Sequence, residues 1–420
     1  MIEPIYKMLF VIGLVCIIVF LYHIISGQLN EGFQNSNADY KQETAYKAQV
    51  KLLSDKYNTD ADKKRPVSSL LSTLSSEDMP ESEQNFVNFY ALACRFTGFM
   101  GPITESYFDP DIAVQMAVKA GCRVFVLEID YSDKSSGELY TPRLVIRDVQ
   151  GKFMVNYNSS KTFSISDVCD KINFYAFSSS QNNTDPVVIV LYFLRAPPGS
   201  YKSKPVLDYY SAVAKALSPF KDRILTNEIN GGTFTRQKQE GQLLINKITN
   251  YNGKVLIFNN ANTNGFREVN LYSSYEDLDY LTHLRLSYTQ TKIGVTENKT
   301  STAFGILDRA DNYMIIPSDR TQDSVEQTKL RWTICLSADP FKNVPEETYK
   351  AITKKIGVHC VPIILFDDTN KYMFKDSLFK TYSFIPKPKE LRYIKPPVVT
   401  PAQPNPSTNS NQGSLRAPSV

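Results

Sequence analysis

The strongest pattern in the chain is at its start. From Met8 to Ile25 it runs MLFVIGLVCIIVFLYHII, with no acidic or basic side chain other than His23. At about 1.5 Å per helical residue, such a run crosses roughly 30 Å of hydrocarbon. Tyr6 and Tyr22 stand near its ends, where aromatic rings meet lipid headgroups. A cleavable leader has a shorter apolar core and a small-residue cleavage site, and Ile25-Ser26-Gly27 fits such a site poorly. The pattern predicts a single-pass transmembrane anchor over residues 1–26. Lys7 precedes the run, and Gly27–Tyr40 holds neither lysine nor arginine. This bias places the N-terminus in the cytosol and the remainder across the membrane.

Residues 27–84 are polar and read as a stalk, with a short helix around Tyr46–Tyr57. Beyond them, short apolar runs alternate with helical patterns. Phe86–Phe96 predicts a strand, and Asp109–Ala120 a helix opened by an aspartate cap and closed by Gly121. Further strands are expected at Arg123–Asp130 (RVFVLEID), Arg143–Arg147, Val187–Leu194 (VVIVLYFL) and Lys254–Phe258, and later at Met314–Ile316, Trp332–Leu336 and Val361–Phe366. Helices are expected at Ile165–Ala176, Pro205–Leu217 and Glu346–Ile356, and around His283 in LTHLRL. VVIVLYFL is continuously apolar, as strands of a parallel sheet covered on both faces are. The alternation fits an α/β fold, either a doubly wound sheet or a (β/α)8 barrel. Neither GxGxxG nor GxxxxGK[ST] follows an early strand, so nothing supports a nucleotide-binding sheet, and the many short strands favour a barrel over 85–385. From Pro386 to Val420 the chain turns rich in Pro, Ser and Asn and reads as a tail, disordered from about Pro396.

Composition narrows the chemistry. A net charge of +4 over 420 residues, with both signs interspersed, points away from nucleic acid. The six cysteines are isolated and the only histidines are His23, His283 and His359, so no structural metal, disulfide framework or cofactor is expected. His359 beside Cys360 matches no nucleophile motif and reads as core packing. Asn-X-Ser/Thr sequons begin at Asn158, Asn182 and Asn298 and are usable only in the orientation above.

AGCRVFVLEIDY (Ala120–Tyr131) resembles the X region of phosphatidylinositol-specific phospholipases C. The likeness continues through FSISDVCDKINFYAF (Phe163–Phe177), PVVIVL (Pro186–Leu191) and GKVLI (Gly253–Ile257), in order, from Asn85 to Asn259. The resemblance implies a distorted TIM-like barrel of the PLC-like phosphodiesterase type. It also implies acid–base cleavage of a phosphodiester by two histidines, with Ca2+ held by carboxylates. Carried over, the histidine positions fall at or near Phe96 and near Arg147. No histidine lies between His23 and His283. The acidic positions fall on Val126 and Glu128, or on Glu128 and Asp130 after a two-residue slip, and the next on Tyr192. Ca2+ is thus expected only if a residual acidic site at Glu128 and Asp130 functions.

Arg95, Arg147 and Arg195 lie at or just after predicted strand ends, the face on which barrel sites sit. They are candidate anion-binding residues for a phosphoinositide headgroup or another phosphate. The plainer alternative pairs them with Glu128, Asp130 and Asp148 as structural bridges. The expected function is a membrane-anchored, catalytically inactive barrel at a membrane surface. The richness in Asn, Lys, Tyr and Ile resembles proteins of large DNA viruses, which implies a virion membrane. The alternatives are a phosphoric diester hydrolase with a rebuilt site and a phosphate-binding module.

Overall fold

A computed structural model describes residues 43–57 and 69–395, apart from 102–107, 132–139, 148–162, 179, 181, 227–233, 269–274, 289–303, 317, 372–378 and 380. The expected anchor and the tail from residue 396 lie outside the described residues. Among the described residues, no helix is long and apolar enough to cross a membrane.

The strands are β1 (Phe89–Ala91), β2 (Ala93–Arg95), β3 (Val124–Asp130), β4 (Arg143–Leu144), β5 (Val187–Phe193), β6 (Val255–Asn259), β7 (Leu284–Tyr288), β8 (Gly305–Arg309), β9 (Trp332–Leu336), β10 (Ile363–Ile364) and β11 (Phe384–Pro386). The main sheet runs β10-β2-β3-β5-β6-β7-β8-β9, every neighbouring pair parallel. A parallel bridge from Ile334 to Cys360 ties β9 to the chain leading into β10. The sheet therefore curls round on itself. Phe258 on β6 and Trp332 on β9 are three places apart in the order, yet their ring centroids are 5.0 Å apart across the interior.

Alternation of side chains explains the two cores. Val124, Val126, Val188, Val190, Leu256 and Phe258 join Trp332 and Ile334 in one cluster. Phe125, Leu127, Ile189, Leu191 and Ile257 point the other way and pack under the helices. The helix Pro110–Ala120 shows how local the signals are. The Asp109 carboxylate accepts the Ile112 N–H, and Gly121 closes the helix at φ 99°.

Several expectations need correction. The predicted strand Phe86–Phe96 breaks at Leu92, whose carbonyl accepts the N–H groups of Arg123 and Val124. Only Ala93–Arg95 joins the parallel sheet, while β1 pairs antiparallel with β11. Arg143–Arg147 supplies just Arg143–Leu144, antiparallel to β3. Met314–Ile316 is not a strand. Gly305–Arg309 takes that place, and a helix follows over Ala310–Met314. The segment around His283 holds a helix only to Leu281, then β7 begins. Residues 43–57 are no free stalk. Tyr46, Val50, Leu53 and Tyr57 form a helical stripe packed on the core, and Leu70 is buried as well. At the other end the fold runs past residue 385. β11 reaches Pro386, Lys387 and Leu391 are buried, and Arg392 pairs with Glu83 at 2.8 Å.

Candidate functional site at the strand ends

The register brings three of the sequence candidates onto one face. Arg95, the last residue of β2, lies level with Val126 of β3. Glu128 and Asp130 follow at two-residue steps and share that face. Arg95 Nε donates to Glu128 Oε1 at 2.5 Å, its Nη1 donates to the Ser337 carbonyl at 3.0 Å, and its guanidinium lies 4.6 Å from the Phe96 ring centroid. Arg147 donates to Asp130 Oδ2. Arg195 Nε donates to Asp130 Oδ1 at 2.8 Å, its Nη2 donates to the Tyr131 carbonyl at 2.8 Å, and its guanidinium lies 4.2 Å from the Tyr131 ring centroid. The Tyr131 N–H adds a further bond to Asp130 Oδ1 at 2.7 Å.

Two buried carboxylates thus meet three arginines. Burial pushes the Asp130 carboxyl above its ordinary value, against the pull of Arg147, Arg195 and the Tyr131 amide. Burial also drives the neighbouring Tyr209 hydroxyl well up, aided by Asp130. A general base or metal ligand needs a free lone pair. Here both Asp130 oxygens and the Oε1 of Glu128 face guanidinium donors. Among the described residues, no group of three or more His, Cys, Asp or Glu side chains is placed to hold a metal ion. Val126 and Tyr192, the remaining positions carried over for Ca2+, have no carboxylate. Tyr192 lies level with Glu128 in the sheet. The residues present do not fit Ca2+.

The positions carried over for the catalytic histidines are equally plain. Phe96 is 2% exposed and belongs to the outer core, and its φ of 56° places it in the left-handed region that bulky residues seldom enter. Arg147 is engaged with Asp130. His283 and His359 are both buried and sit ahead of β7 and β10, at the opposite ends of the strands from Arg95 and Asp130. His359 Nδ1 accepts the Thr333 N–H at 3.0 Å. Cys360 donates to the Ala91 carbonyl at 3.3 Å, and burial holds its thiol well above the ordinary value. Neither is poised as a nucleophile or its base.

Of the sequons, Asn182 is 1% exposed, its side-chain amide donating to Ser383 Oγ at 2.7 Å and accepting from Arg123 at 2.6 Å. Asn158 and Asn298 lie outside the described residues, as does Asp148. Sequence reasoning missed one polar cluster altogether, formed by Lys238, Arg267, Asp279 and Arg285. Its members are spread over scattered positions with no motif spacing.

No family model matches the chain, and no curated protein matches it. Among solved structures, it is similar to L. pealei PLC21 at 15% identity and a TM-score of 0.49, covering 75% of this chain and 38% of that one. It is also similar to a calcium-dependent phosphoinositol-specific phospholipase C from Pseudomonas sp, at 10% identity and a TM-score of 0.44, covering 76% of this chain and 99% of that one. A Ca2+-dependent phosphatidylinositol-specific phospholipase C from Streptomyces antibioticus aligns at 9% identity and a TM-score of 0.42, covering 72% and 99%. The chain spans little more than a third of the length of the L. pealei protein.

Proposed function

We propose that this chain is a membrane-attached protein whose barrel mouth holds charge without performing hydrolysis. The observation that carries the reading is the clamp of Arg147 and Arg195 on the two oxygens of Asp130, beside the single bond from Arg95 to Glu128 Oε1. Phosphodiester cleavage needs a group that takes a proton from the attacking hydroxyl and one that steadies the leaving oxygen. With guanidinium donors on both oxygens, Asp130 has no lone pair turned towards an attacking hydroxyl and is badly placed as a base. Attachment rests on the apolar run Met8–Ile25. The surface served is that of a cell or virion membrane.

A second reading is favoured by the charge count at the mouth. Within the clamp alone, three arginines against two carboxylates leave one positive charge in excess. That excess suits an anionic headgroup resting on the rim. The test uses the full chain in two measurements. Flotation with phosphatidylcholine vesicles, with and without phosphatidylinositol, reads attachment. Release of phosphorylated headgroup, with and without Ca2+, reads hydrolysis. The proposal expects flotation on both vesicle types and no release above background. Failure to float, or steady release, overturns it. Stronger flotation with phosphatidylinositol that disappears in Arg195→Gln selects the second reading.

A further inference from the structure

A second polar site lies on the outer wall of the sheet, away from the mouth. Leu284 and Leu286 of β7 belong to the inner cluster, so alternation turns Arg285 outward. Arg285, Lys238 from the helix Phe234–Gln239, Arg267 from the helix Gly265–Glu268, His283, Leu284 and Phe304 line a cavity of about 330 Å3. Such a volume lies within the range of small-molecule sites.

The cations converge on one buried carboxylate. Asp279 Oδ1 accepts from Arg285 Nη2 at 2.5 Å and from the Thr263 hydroxyl at 2.6 Å, and Oδ2 accepts from Arg267 Nε at 2.5 Å. The Lys238 ammonium donates to the Asp279 carbonyl, not to its carboxylate. Arg285 Nη1 donates to Asn264 Oδ1 at 2.7 Å, yet its buried Nε donates to nothing among the described residues. The other carboxylate near Lys238, Asp277, accepts the Tyr280 N–H as a helix cap, and burial pushes its carboxyl up. Burial, with Arg267 and Arg285 nearby, brings Lys238 down to about 8 against the pull of Asp279. Three cations face two carboxylates, which leaves one positive charge in excess within the cluster.

We propose that this cavity binds a phosphate monoester, its oxygens on Lys238, Arg267 and Arg285 and its organic part against the Phe304 ring. Phosphate supplies several acceptors to a fork of guanidinium donors, and its negative charge offsets the excess. The apolar wall gives a small organic body something to pack on. The site does not depend on the reading of the mouth, so either fails without the other.

Calorimetric titration of the full chain with glycerol 3-phosphate, inorganic phosphate and a soluble short-chain phosphatidic acid tests it. Lys238→Gln and Arg267→Gln are the informative variants, because both leave the Arg285–Asp279 pair in place. Each is expected to weaken binding about tenfold, the loss of one charge-assisted bond, while Arg195→Gln at the mouth leaves it unchanged. Binding of glycerol 3-phosphate identifies a free small molecule as the source, and Lys238-dependent binding of the short-chain phosphatidic acid alone identifies a lipid headgroup. No binding to any of the three probes overturns the proposal, as does equal binding by wild type and both variants.

Discussion

The two ends of the curled sheet treat buried charge in opposite ways. At the strand C-termini, Glu128 and Asp130 are 4% and 0% exposed as side chains, with one guanidinium partner on Glu128 and two on Asp130. At the other end, His359 and Lys387 are buried with no carboxylate beside them. Lys387 Nζ donates to the Thr328 carbonyl at 3.0 Å and lies 2.7 Å from His359 Nε2. Because His359 Nδ1 accepts the Thr333 N–H, the ring proton sits on Nε2. The Val87 carbonyl lies 2.8 Å from Nε2 and accepts that proton, so the ring offers Lys387 no acceptor, and this pocket disfavours the charged ammonium. Burial drives Lys387 well below the ordinary lysine value and His359 below the ordinary imidazole value. One end keeps its charges by pairing them, and burial at the other disfavours them. An anionic ligand finds a field only where charge survives, which is why the functional reading belongs to the mouth and to the Lys238 cavity.

The sharpest way to break this contrast is to remove a carboxylate from the mouth. Asp130→Ala leaves Arg147 and Arg195 without their shared partner, and a broken buried pair costs about 3–5 kcal/mol. Urea midpoints read the loss, and a change below about 1 kcal/mol would mean that the clamp adds little. The base is expected to behave otherwise. The unfolded chain holds the Lys387 proton up to about 10.4 and the folded chain releases it at lower pH, so wild-type stability should rise with pH through that window. Lys387→Met should remove that slope, about 1.4 kcal/mol per pH unit, at little cost at pH 7. Identical pH profiles would show that the amine stays charged.

A third prediction concerns acid. Burial and the nearby Lys238 bring His283 down to about 3, so the folded chain keeps this ring neutral. The unfolded chain protonates it below about 6.5. Stability should therefore fall as pH drops from about 6.5 towards 3, and His283→Gln should flatten part of that fall. The smallest effect is expected for Arg195→Lys. Arg147 remains on Asp130, and Arg195 is partly exposed, so the loss should be about 1 kcal/mol or less. A loss as large as that of Asp130→Ala would show that Arg195 alone holds the site.

How much of this was legible in the sequence follows from how local each signal is. The cap at Asp109, the turn at Gly121 and the run Val187–Phe193 depend on neighbours within a few residues, and they appear as expected. The gathering of Arg95, Glu128, Asp130 and Arg195 was legible too, because strand ends in a parallel sheet share a rim. Strand β7 was not, since LTHLRL carries leucines at a spacing that suits a helix as well as a strand. Glycine at the head of GILDR and charge at its end hid β8, while the apolar Met314–Ile316 drew attention to the wrong segment. Helix 43–57 looked like stalk because its stripe of Tyr46, Val50, Leu53 and Tyr57 is dilute among polar residues. Lys387 and the Lys238 cavity had no signal at all. Burial of a lysine, or convergence of residues 238, 267, 279 and 285, arises only from tertiary packing.

Headgroup release from phosphatidylinositol vesicles by the full chain, with and without Ca2+, tests the central claim most directly. Clamped carboxylates predict no turnover above the vesicle background in either condition. Turnover that Glu128→Gln or Asp130→Asn abolishes, while the variants stay folded, would contradict it and make the mouth a working active site.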